Sequence, residues 1–171
     1  MTTKLVLASN NSGKLAELQA LFAPLGVELV RQSDLGIPEA PEPHRTFIEN
    51  ALAKARHAAR DHRVLRAVPR TRRRRRRMPR TPGRRSQARL VALRHADDPE
   101  PLVATGRAPG LITQERVGSQ GFGFDPVMYL PALGKTFAEL SPEVKNAHSH
   151  RGQAAQQMLA LMRERWFAPA S

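Results

Sequence analysis

The sequence has no cysteine, few aromatic residues and no long hydrophobic run. The lack of cysteine excludes disulfide bonds and thiolate metal sites. No apolar stretch approaches the roughly 20 residues of a membrane-spanning helix, and we identify no secretory signal pattern. Hydrophobic residues still make up 40% of the 171 positions, which is enough for the core of one domain. We therefore expect a single-domain soluble protein that acts in the cytoplasm and does not associate with a membrane.

The net charge of +13 is confined to one segment of the chain. Residues 60–89 contain 14 arginines and one acidic residue, Asp61, and the remainder has equal numbers of basic and acidic residues. Arginine runs bind phosphate backbones and acidic partners. An inactive nucleotide-binding domain whose arginine-rich loop binds nucleic acid or an acidic partner is therefore an alternative function. No aromatic residues are interleaved with the arginines and no nucleic-acid fold is recognisable, so we do not expect nucleic acid to be the partner.

The arginine-rich segment also lacks the pattern of a folded element. Six consecutive arginines occupy positions 72–77, and Pro69, Pro79 and Pro82 interrupt the stretch. Densely packed like charges repel one another, and too few apolar residues are present to offset the entropy of ordering. We predict that residues 60–88 are disordered or poorly packed.

The flanking sequence predicts an α/β domain with a mixed sheet. Strands and helices alternate at first and hairpins follow, which is typical of this class. Thr46 and Glu49 have the spacing of a helix-capping box. Apolar runs predict strands at 4–8, 27–30, 88–94, 102–105, 111–113 and 126–130, and helical periodicity predicts helices at 15–22, 47–59 and 150–166.

A phosphate-binding pattern follows the first strand. Residues 9–14, Ser-Asn-Asn-Ser-Gly-Lys, lie between a strand and a helix. Hydroxyl and amide groups, together with the free N–H groups of a helix N-terminus, bind anions, and Lys14 adds positive charge. The stretch is not a Walker A loop. Taken alone, it is about equally well explained as a helix cap followed by an exposed lysine.

Two further motifs lie near the carboxyl end. Residues 121–126, Gly-Phe-Gly-Phe-Asp-Pro, place two aromatic rings and a carboxylate among glycines, so that a flat base could stack on a ring while polar groups read its edge. Lys145 and the sequence Ser149-His150-Arg151 form a cationic set at the start of the last predicted helix. Without context, the first motif would more often be a glycine-rich turn and the second a helix cap with solvated charges.

Together these motifs resemble the inosine triphosphatase family, the Ham1-like pyrophosphatases. Ser-Asn-Asn-x-Gly-Lys, Thr-Phe-x-Glu-Asn-Ala at 46–51, Gly-Phe-Gly-Phe-Asp-Pro and a lysine followed by Ser-His-Arg occur in the order of that family. Residues 93–99 also resemble the family's hairpin. The resemblance covers about residues 3–59 and 88–166. A related housekeeping pyrophosphatase with another base preference is a further alternative, which the last two motifs disfavour.

The resemblance implies a homodimeric enzyme with an elongated mixed sheet, flanking helices and an active cleft between two lobes. Such enzymes hydrolyse non-standard purine nucleoside triphosphates, such as ITP, dITP and XTP, to the monophosphate and pyrophosphate with Mg²⁺. Glu42, in an acidic loop, is the candidate metal ligand, since Mg²⁺ typically takes one or two carboxylates plus phosphate oxygens. The implied substrate-binding residues are Ser9, Asn10, Asn11, Ser12, Gly13, Lys14, Lys54, Phe122, Gly123, Phe124, Asp125, Lys145, His150 and Arg151.

One part of the family pattern is missing. The family places a catalytic carboxylate in an Ala-Asp-Asp-Ser-Gly-Leu motif shortly after the second helix, and neither this motif nor its continuation occurs in residues 64–89. Asp97 and Asp98 belong to the predicted hairpin and do not replace it. The catalytic residue is therefore unassigned, and the chain is expected to be catalytically impaired. We hypothesise that a frame disruption in a GC-rich gene produced the arginine-rich segment and removed a central strand.

Overall fold

The computed structural model describes residues 3–60, 64–70 and 84–167. Seven strands are present: β1 (Thr3–Leu7), β2 (Val27–Arg31), β3 (Val64–Arg70), β4 (Arg84–Leu93), β5 (Leu102–Ile112), β6 (Met128–Leu130) and β7 (Lys135–Thr136). Four α-helices accompany them: α1 (Ser12–Phe22), α2 (Phe47–Ala58), α3 (Pro142–His148) and α4 (His150–Arg165). Short 3₁₀ helices lie at Ala23–Leu25, Gln32–Leu35, Asp125–Val127 and Phe137–Glu139.

The strands form one mixed sheet in the order β2-β1-β3-β4-β5-β6-β7. Strands β2, β1 and β3 are parallel, and every pairing from β3 to β7 is antiparallel. The prediction of an α/β fold with a mixed sheet is therefore confirmed. Because β1 and β3 are parallel neighbours, the chain leaves both strands at the same edge of the sheet.

The helices cover both faces of the sheet, as the alternation along β1 requires. Leu5 and Leu7 face α1 and α4, where they pack with Leu18, Phe22 and Met158. Val6 and Ala8 point to the other face and pack with α2 through Ala55 and Ala58. Side chains alternate between the two faces of a strand, so the stretch from Leu5 to Ala8, which is buried on both faces, is a continuous apolar run. No helix in the described ranges is long and apolar enough to cross a membrane.

Part of the arginine-rich segment is ordered in the sheet. Residues 64–70 form β3 and residues 84–88 begin β4, whereas 61–63 and 71–83 lie outside the described residues. The structure thus differs from the prediction of disorder across 60–88 at both stretches. The expectation that a central strand is missing is wrong, because β3 lies between β1 and β4. Val64 and Val68 are good strand formers. Pairing with β4 along the whole strand, and with β1 at its first two residues, outweighs the unfavourable composition around them.

The element boundaries follow the sequence closely in the first helices, but the strands predicted at 102–105 and 111–113 are one continuous strand, β5. Asn11 and Thr46 cap α1 and α2, and Thr46 forms the predicted capping box with Glu49. The stretch predicted as a strand at 126–130 differs in its first half. Residues Asp125–Val127 form a 3₁₀ helix with Pro126 near its start, and the strand begins only at Met128. Proline favours the first turn of a helix because its φ is already fixed there.

Candidate functional site

The loop between β1 and α1 presents a helix N-terminus to solvent. The Asn11 side-chain oxygen accepts a hydrogen bond from the Lys14 backbone N–H at 2.9 Å, and the Asn11 N–H donates to Ser9 Oγ at 3.4 Å. Ser9 is buried, whereas Asn10, Asn11 and Ser12 are exposed. The remaining N–H groups of the first turn carry the positive end of the helix dipole, so the loop can bind an anion.

The acidic loop that contains Glu39 and Glu42 lies against α2 and against the loop before α1, which we call the phosphate loop (residues 9–14). Asn10 Nδ2 donates to Glu39 Oε1 at 3.2 Å, and Lys54 of α2 forms an ion pair with Glu42. The Glu42 side chain is half exposed, while that of Lys54 is largely buried. A lysine and a carboxylate thus lie together beside the phosphate loop, and Glu42 is the more exposed partner of the pair.

A tight turn orders the Gly-Phe-Gly-Phe-Asp motif. Gly121 has a φ of +79°, and a Cβ atom there would lie 2.2 Å from Asp125 Oδ2, so only glycine fits. The same Asp125 oxygen accepts a hydrogen bond from the Phe122 backbone N–H at 2.7 Å. It also accepts one from Lys145 Nζ at 2.8 Å. Asp125 therefore joins the turn to α3.

Glu17 of α1 is a functional candidate that the sequence reasoning missed. Its two carboxylate oxygens pair with Lys145 and with Arg151. Lys145 and Arg151 are both buried, and burial of cations requires paired acceptors. The available signal was that Glu17 is the one acidic residue of α1 and lies one helical turn after Lys14.

The Phe122 ring connects the two ends of the site. A Cβ atom on Gly13 would lie 2.8 Å from Phe122 Cδ1, so the first turn of α1 packs directly on the ring. The Lys145 ammonium lies 5.1 Å and the Arg151 guanidinium carbon 4.8 Å from the ring centroid. Both distances are within the range of cation–π attraction. By contrast, Phe124 is 40% exposed and follows Gly123, whose φ is +68°.

His150 begins α4 beside these cations. Burial, together with the neighbouring charges of Arg151 and Lys145, lowers the pKa of His150 to about 4, although the charge of Glu17 acts in the opposite direction. The imidazole is therefore neutral at pH 7 and can accept or donate a hydrogen bond. Ser149 caps the helix by accepting from the Gly152 N–H at 2.9 Å.

The structure brings part of the predicted set of residues into one cluster. Gly13, Phe122, Asp125, Lys145 and Arg151 contact one another directly or through Glu17. The phosphate loop leads into the helix that carries Glu17. The acidic loop that contains Glu42, the partner of Lys54, contacts the phosphate loop through the hydrogen bond between Asn10 and Glu39. Within the described ranges, no group of three or more His, Asp or Glu residues could hold a metal ion by itself.

Two buried cations against an aromatic ring, next to a helix N-terminus, suit a phosphorylated ligand with a flat base. The model of the Ham1 family matches residues 5–68 and 73–161. The chain belongs to the Ham1 family. It is 54% identical to a dITP/XTP pyrophosphatase of Paracidovorax citrulli, covering 96% of this chain and 100% of the relative. A dITP/XTP pyrophosphatase of Verminephrobacter eiseniae is also 54% identical, over 95% of this chain and 99% of that protein.

Solved structures agree with this membership. The HAM1 protein from Coxiella burnetii has a TM-score of 0.81 and 31% identity, covering 95% of this chain and 100% of that one. The Ham1 protein of Staphylococcus aureus has a TM-score of 0.72 and 26% identity, with 95% of this chain and 99% of that one covered. The mixed sheet and flanking helices are thus those of the family.

This Ham1 family member is shorter than the relatives to which it aligns. The alignment with the Paracidovorax protein runs over 199 positions and the present chain has 171 residues, so at least 28 residues of the relative have no counterpart here. The family match is interrupted between residues 68 and 73. That interruption falls at the carboxyl end of β3, the parallel neighbour of the strand that leads into the phosphate loop.

Proposed function

We propose that this chain binds non-standard purine nucleoside triphosphates such as ITP, dITP and XTP. By membership it is a pyrophosphatase that converts them to the monophosphate and pyrophosphate and so removes them from the nucleotide pool. The observation that carries the proposal is the contact of Gly13 with Phe122, which joins a helix N-terminus to an aromatic ring flanked by two cations. The relatives named dITP/XTP pyrophosphatase support the same substrate class.

The phosphate end of the site is assigned to the loop before α1. The triphosphate would be held by Ser9, Asn10, Asn11 and the N–H groups of Ser12 and Gly13. The free N–H groups and the dipole at a helix N-terminus are sufficient to bind an anion. Lys14 and Lys54 would add positive charge. Electrostatic attraction of this kind is strong for a group that carries several negative charges at neutral pH.

The base end is assigned to the Phe122 pocket, with Gly123, Phe124 and Asp125 as its rim. Lys145 and Arg151 offer only donors, and neutral His150 offers one donor and one acceptor. A 6-keto purine presents an acceptor at the position where adenine presents an amino group. Adenine would therefore leave donors facing donors, and unpaired buried polar groups are costly. This supports a preference for inosine and xanthosine nucleotides.

A divalent metal fits beside the phosphate loop only if the phosphate oxygens of the substrate supply most of its ligands. Glu42 supplies one hard oxygen, and Mg²⁺ typically takes one or two carboxylates with phosphate oxygens. When bound, Mg²⁺ would neutralise phosphate charge and polarise the phosphorus–oxygen bonds. Glu42 would hold it, and Lys54, released from the ion pair, would turn to the phosphates.

Hydrolysis additionally needs a group that orients or deprotonates the attacking water. Water must attack the α-phosphorus, lose a proton and displace pyrophosphate. Between Asp61 and Asp97 the sequence contains no aspartate or glutamate, and this stretch includes all of β3 and the position where the family match is interrupted. We therefore propose that binding is retained and that turnover is impaired.

The test is to measure ITP binding and pyrophosphate release on the same folded preparation. Calorimetric titration with ITP and Mg²⁺ reports binding, and a coupled phosphate assay reports turnover. Binding with little pyrophosphate release is expected. Turnover at the rate of the Paracidovorax relative, assayed in parallel, would contradict the impairment, and a folded protein that binds no ITP would contradict the function. Phe122→Ala serves as the binding-deficient control.

The resemblance also leads us to propose that the chain is a homodimer and acts in the cytoplasm. Sedimentation velocity on the purified protein tests the first point. Nucleic acid is not proposed as a partner, because no aromatic residues are interleaved with the arginines of residues 60–89.

A further inference from the structure

Helix α4 is attached to β5 by two hydrogen bonds, in each of which a backbone N–H of the strand donates to a glutamine side chain of the helix. The Thr105 backbone N–H donates to Gln157 Oε1 at 2.6 Å, and the Arg107 N–H donates to Gln153 Oε1 at 3.2 Å. Strand β6 pairs with β5 only at Leu111 and Ile112, so these two N–H groups lie on an edge that β6 does not cover. Unpaired edge groups of a strand need a cover, and the glutamines of α4 provide it.

The spacing of the two bonds fixes the helix at one position along the strand. Gln153 and Gln157 are one helical turn apart, a rise of about 6 Å. Thr105 and Arg107 are two strand residues apart, a rise of about 6.8 Å. The two spacings match when the helix runs antiparallel to the strand, as it does here. A shift of one residue would move the helix by about 1.5 Å and rotate its side chains by about 100°.

Gly106, between the two bonded residues, brings the backbones together. A Cβ atom on Gly106 would lie 1.9 Å from the carbonyl oxygen of His150 and 2.6 Å from the nitrogen of Ala154. On the opposite side of the helix, a Cβ atom on Gly152 would lie 1.6 Å from the carbonyl oxygen of Asn146 in α3. The first turn of α4 is thus held between β5 and α3 with no side chain between the backbones.

We propose that Gly106, Gln153 and Gln157 are positioning residues, which fix α4 at one register on β5 and thereby set where His150 and Arg151 lie in the nucleotide site. This inference rests on the proposed function for the role of that site. None of the three residues is part of the cluster around Phe122. They act on it through the first turn of α4, which carries Arg151 to Glu17 and to the Phe122 ring.

The apolar face of α4 has a separate role. This face consists of Ala154, Ala155, Met158 and Met162, which are buried against the sheet. The hydrophobic effect that stabilises such burial is not directional. Methionine in particular adapts to altered packing. Apolar packing therefore holds α4 on the sheet, whereas the two hydrogen bonds and the glycine contact fix its position along β5.

Matched glutamine variants separate positioning from stability. Gln156 lies on the same helix and is exposed, so Gln156→Ala controls for the change in helix propensity. Gln157→Ala and the double variant Gln153→Ala/Gln157→Ala remove the acceptors, while Gln157→Glu keeps an acceptor oxygen at the same place. We expect ITP affinity to fall roughly three- to tenfold for each lost hydrogen bond. The preference for ITP over ATP should fall with it, and Gln157→Glu should restore both.

Gly106→Ala is the stronger perturbation. The added methyl group must displace the first turn of α4, so ITP affinity is expected to fall further than in either single glutamine variant. If Gly106→Ala does not fold, the glutamine variants still test whether these residues position α4. The expectation is overturned if Gln157→Ala and the double variant match Gln156→Ala in ITP affinity and in preference over ATP.

A readout without nucleotide keeps this inference separate from the proposed function. The side-chain NMR signal of His150 reports its surroundings, because burial lowers the pKa of this residue to about 4. In the double glutamine variant the midpoint should move up toward 6.5, and in Gln156→Ala it should not move. If the wild-type chain binds no ITP, the proposed function fails, and the His150 midpoint alone supports or overturns the positioning role.

Discussion

Gly13 in the first turn of α1 lies directly on the ring of Phe122, with room for a hydrogen but not for a methyl group. The contact joins the phosphate loop to the base pocket, although more than 100 residues separate them in the chain. Phe122 also lies beneath the charges of Lys145 and Arg151. A change at Gly13 should therefore reach the base pocket through the ring.

The first prediction concerns Gly13→Ala. The added methyl group would lie 2.8 Å from Phe122 Cδ1 and 2.9 Å from Cε1, so the ring must move. Replacing glycine by alanine in a helix stabilises it by roughly 0.5–1 kcal/mol, which offsets part of the clash. We expect ITP affinity to fall about tenfold while the free energy of unfolding changes by less than about 1 kcal/mol.

A double-mutant cycle tests this explanation. In a Phe122→Leu background the smaller side chain leaves room for the methyl group, so Gly13→Ala should then have little effect on affinity. Residues in contact show such non-additivity, and distant ones do not. Equal effects of Gly13→Ala in both backgrounds would show that the two residues are not coupled.

The second prediction concerns Glu17, which neutralises two buried cations. Glu17→Gln keeps the shape of the side chain and removes its charge, leaving Lys145 with Asp125 and Arg151 without its carboxylate. Because removing one member of a buried ion pair leaves an uncompensated charge, the free energy of unfolding should fall by roughly 3 kcal/mol. Urea denaturation measures the change. Glu28→Gln, exposed on β2, is the control and should change it by less than about 0.5 kcal/mol.

The comparison with this control decides the role of Glu17. An equal, small effect of both substitutions would mean that Glu17 is effectively a solvated surface residue. A large loss of stability with unchanged ITP affinity would mean that the network supports the fold and does not position the cations for the nucleotide.

The sequence predicted the local parts of the site and missed the contacts between distant parts. The strand, phosphate loop and helix at residues 4–22 follow from periodicity and from the cap at Asn11, which are local properties. The grouping of Phe122, Lys145 and Arg151 came from a family resemblance. The resemblance did not point to Glu17, because a single acid on an amphipathic helix is usually solvated and its partners lie more than 100 residues away.

Strand β3 is a second feature that could not be predicted from the local sequence. Composition around residues 64–70 argued against an ordered element, since charge repulsion dominates a stretch of that kind when it is considered alone. Within the fold, β4 provides pairing partners along all of this stretch, and β1 provides them at Val64 and Leu65. Strand propensity depends strongly on such neighbours, and the neighbours cannot be seen from local sequence. The same holds for Gln153 and Gln157, whose partners on β5 depend on helix docking.

The third prediction concerns Glu42, the proposed metal ligand. Its ion pair with Lys54 is exposed on the carboxylate side, so Glu42→Gln should cost less than about 1 kcal/mol of stability. If Glu42 holds Mg²⁺ with the substrate, the Mg²⁺ concentration for half-maximal ITP binding should rise several-fold, since a neutral amide is a weaker ligand for a hard cation. Calorimetric titrations at several Mg²⁺ concentrations measure it. An unchanged Mg²⁺ dependence, equal to that of Glu28→Gln, would remove Glu42 as a ligand.

The last prediction follows from the buried start of α4. Burial, with the charges of Arg151 and Lys145, lowers the pKa of His150 to about 4, and in the unfolded chain it should be near 6.5. Below pH 6.5 the unfolded chain therefore binds a proton that the folded protein does not. The free energy of unfolding should fall as the pH drops from 6.5 toward 4, by about 2 kcal/mol at pH 5, and His150 should contribute no pH dependence above pH 7.

Urea denaturation at pH 7 and pH 5 measures this contribution when variants are compared. His150→Gln cannot take up the proton, so its stability should differ less between the two pH values than that of the wild type. His148→Gln removes an exposed histidine two residues away and should keep the wild-type difference. If His150→Gln lost as much stability at pH 5 as the wild type, the acid sensitivity would come from other groups, and the imidazole would be accessible to protons in the folded protein. A reduced loss would instead show that the first turn of α4 stays closed around a neutral histidine, as nucleotide recognition through that residue requires.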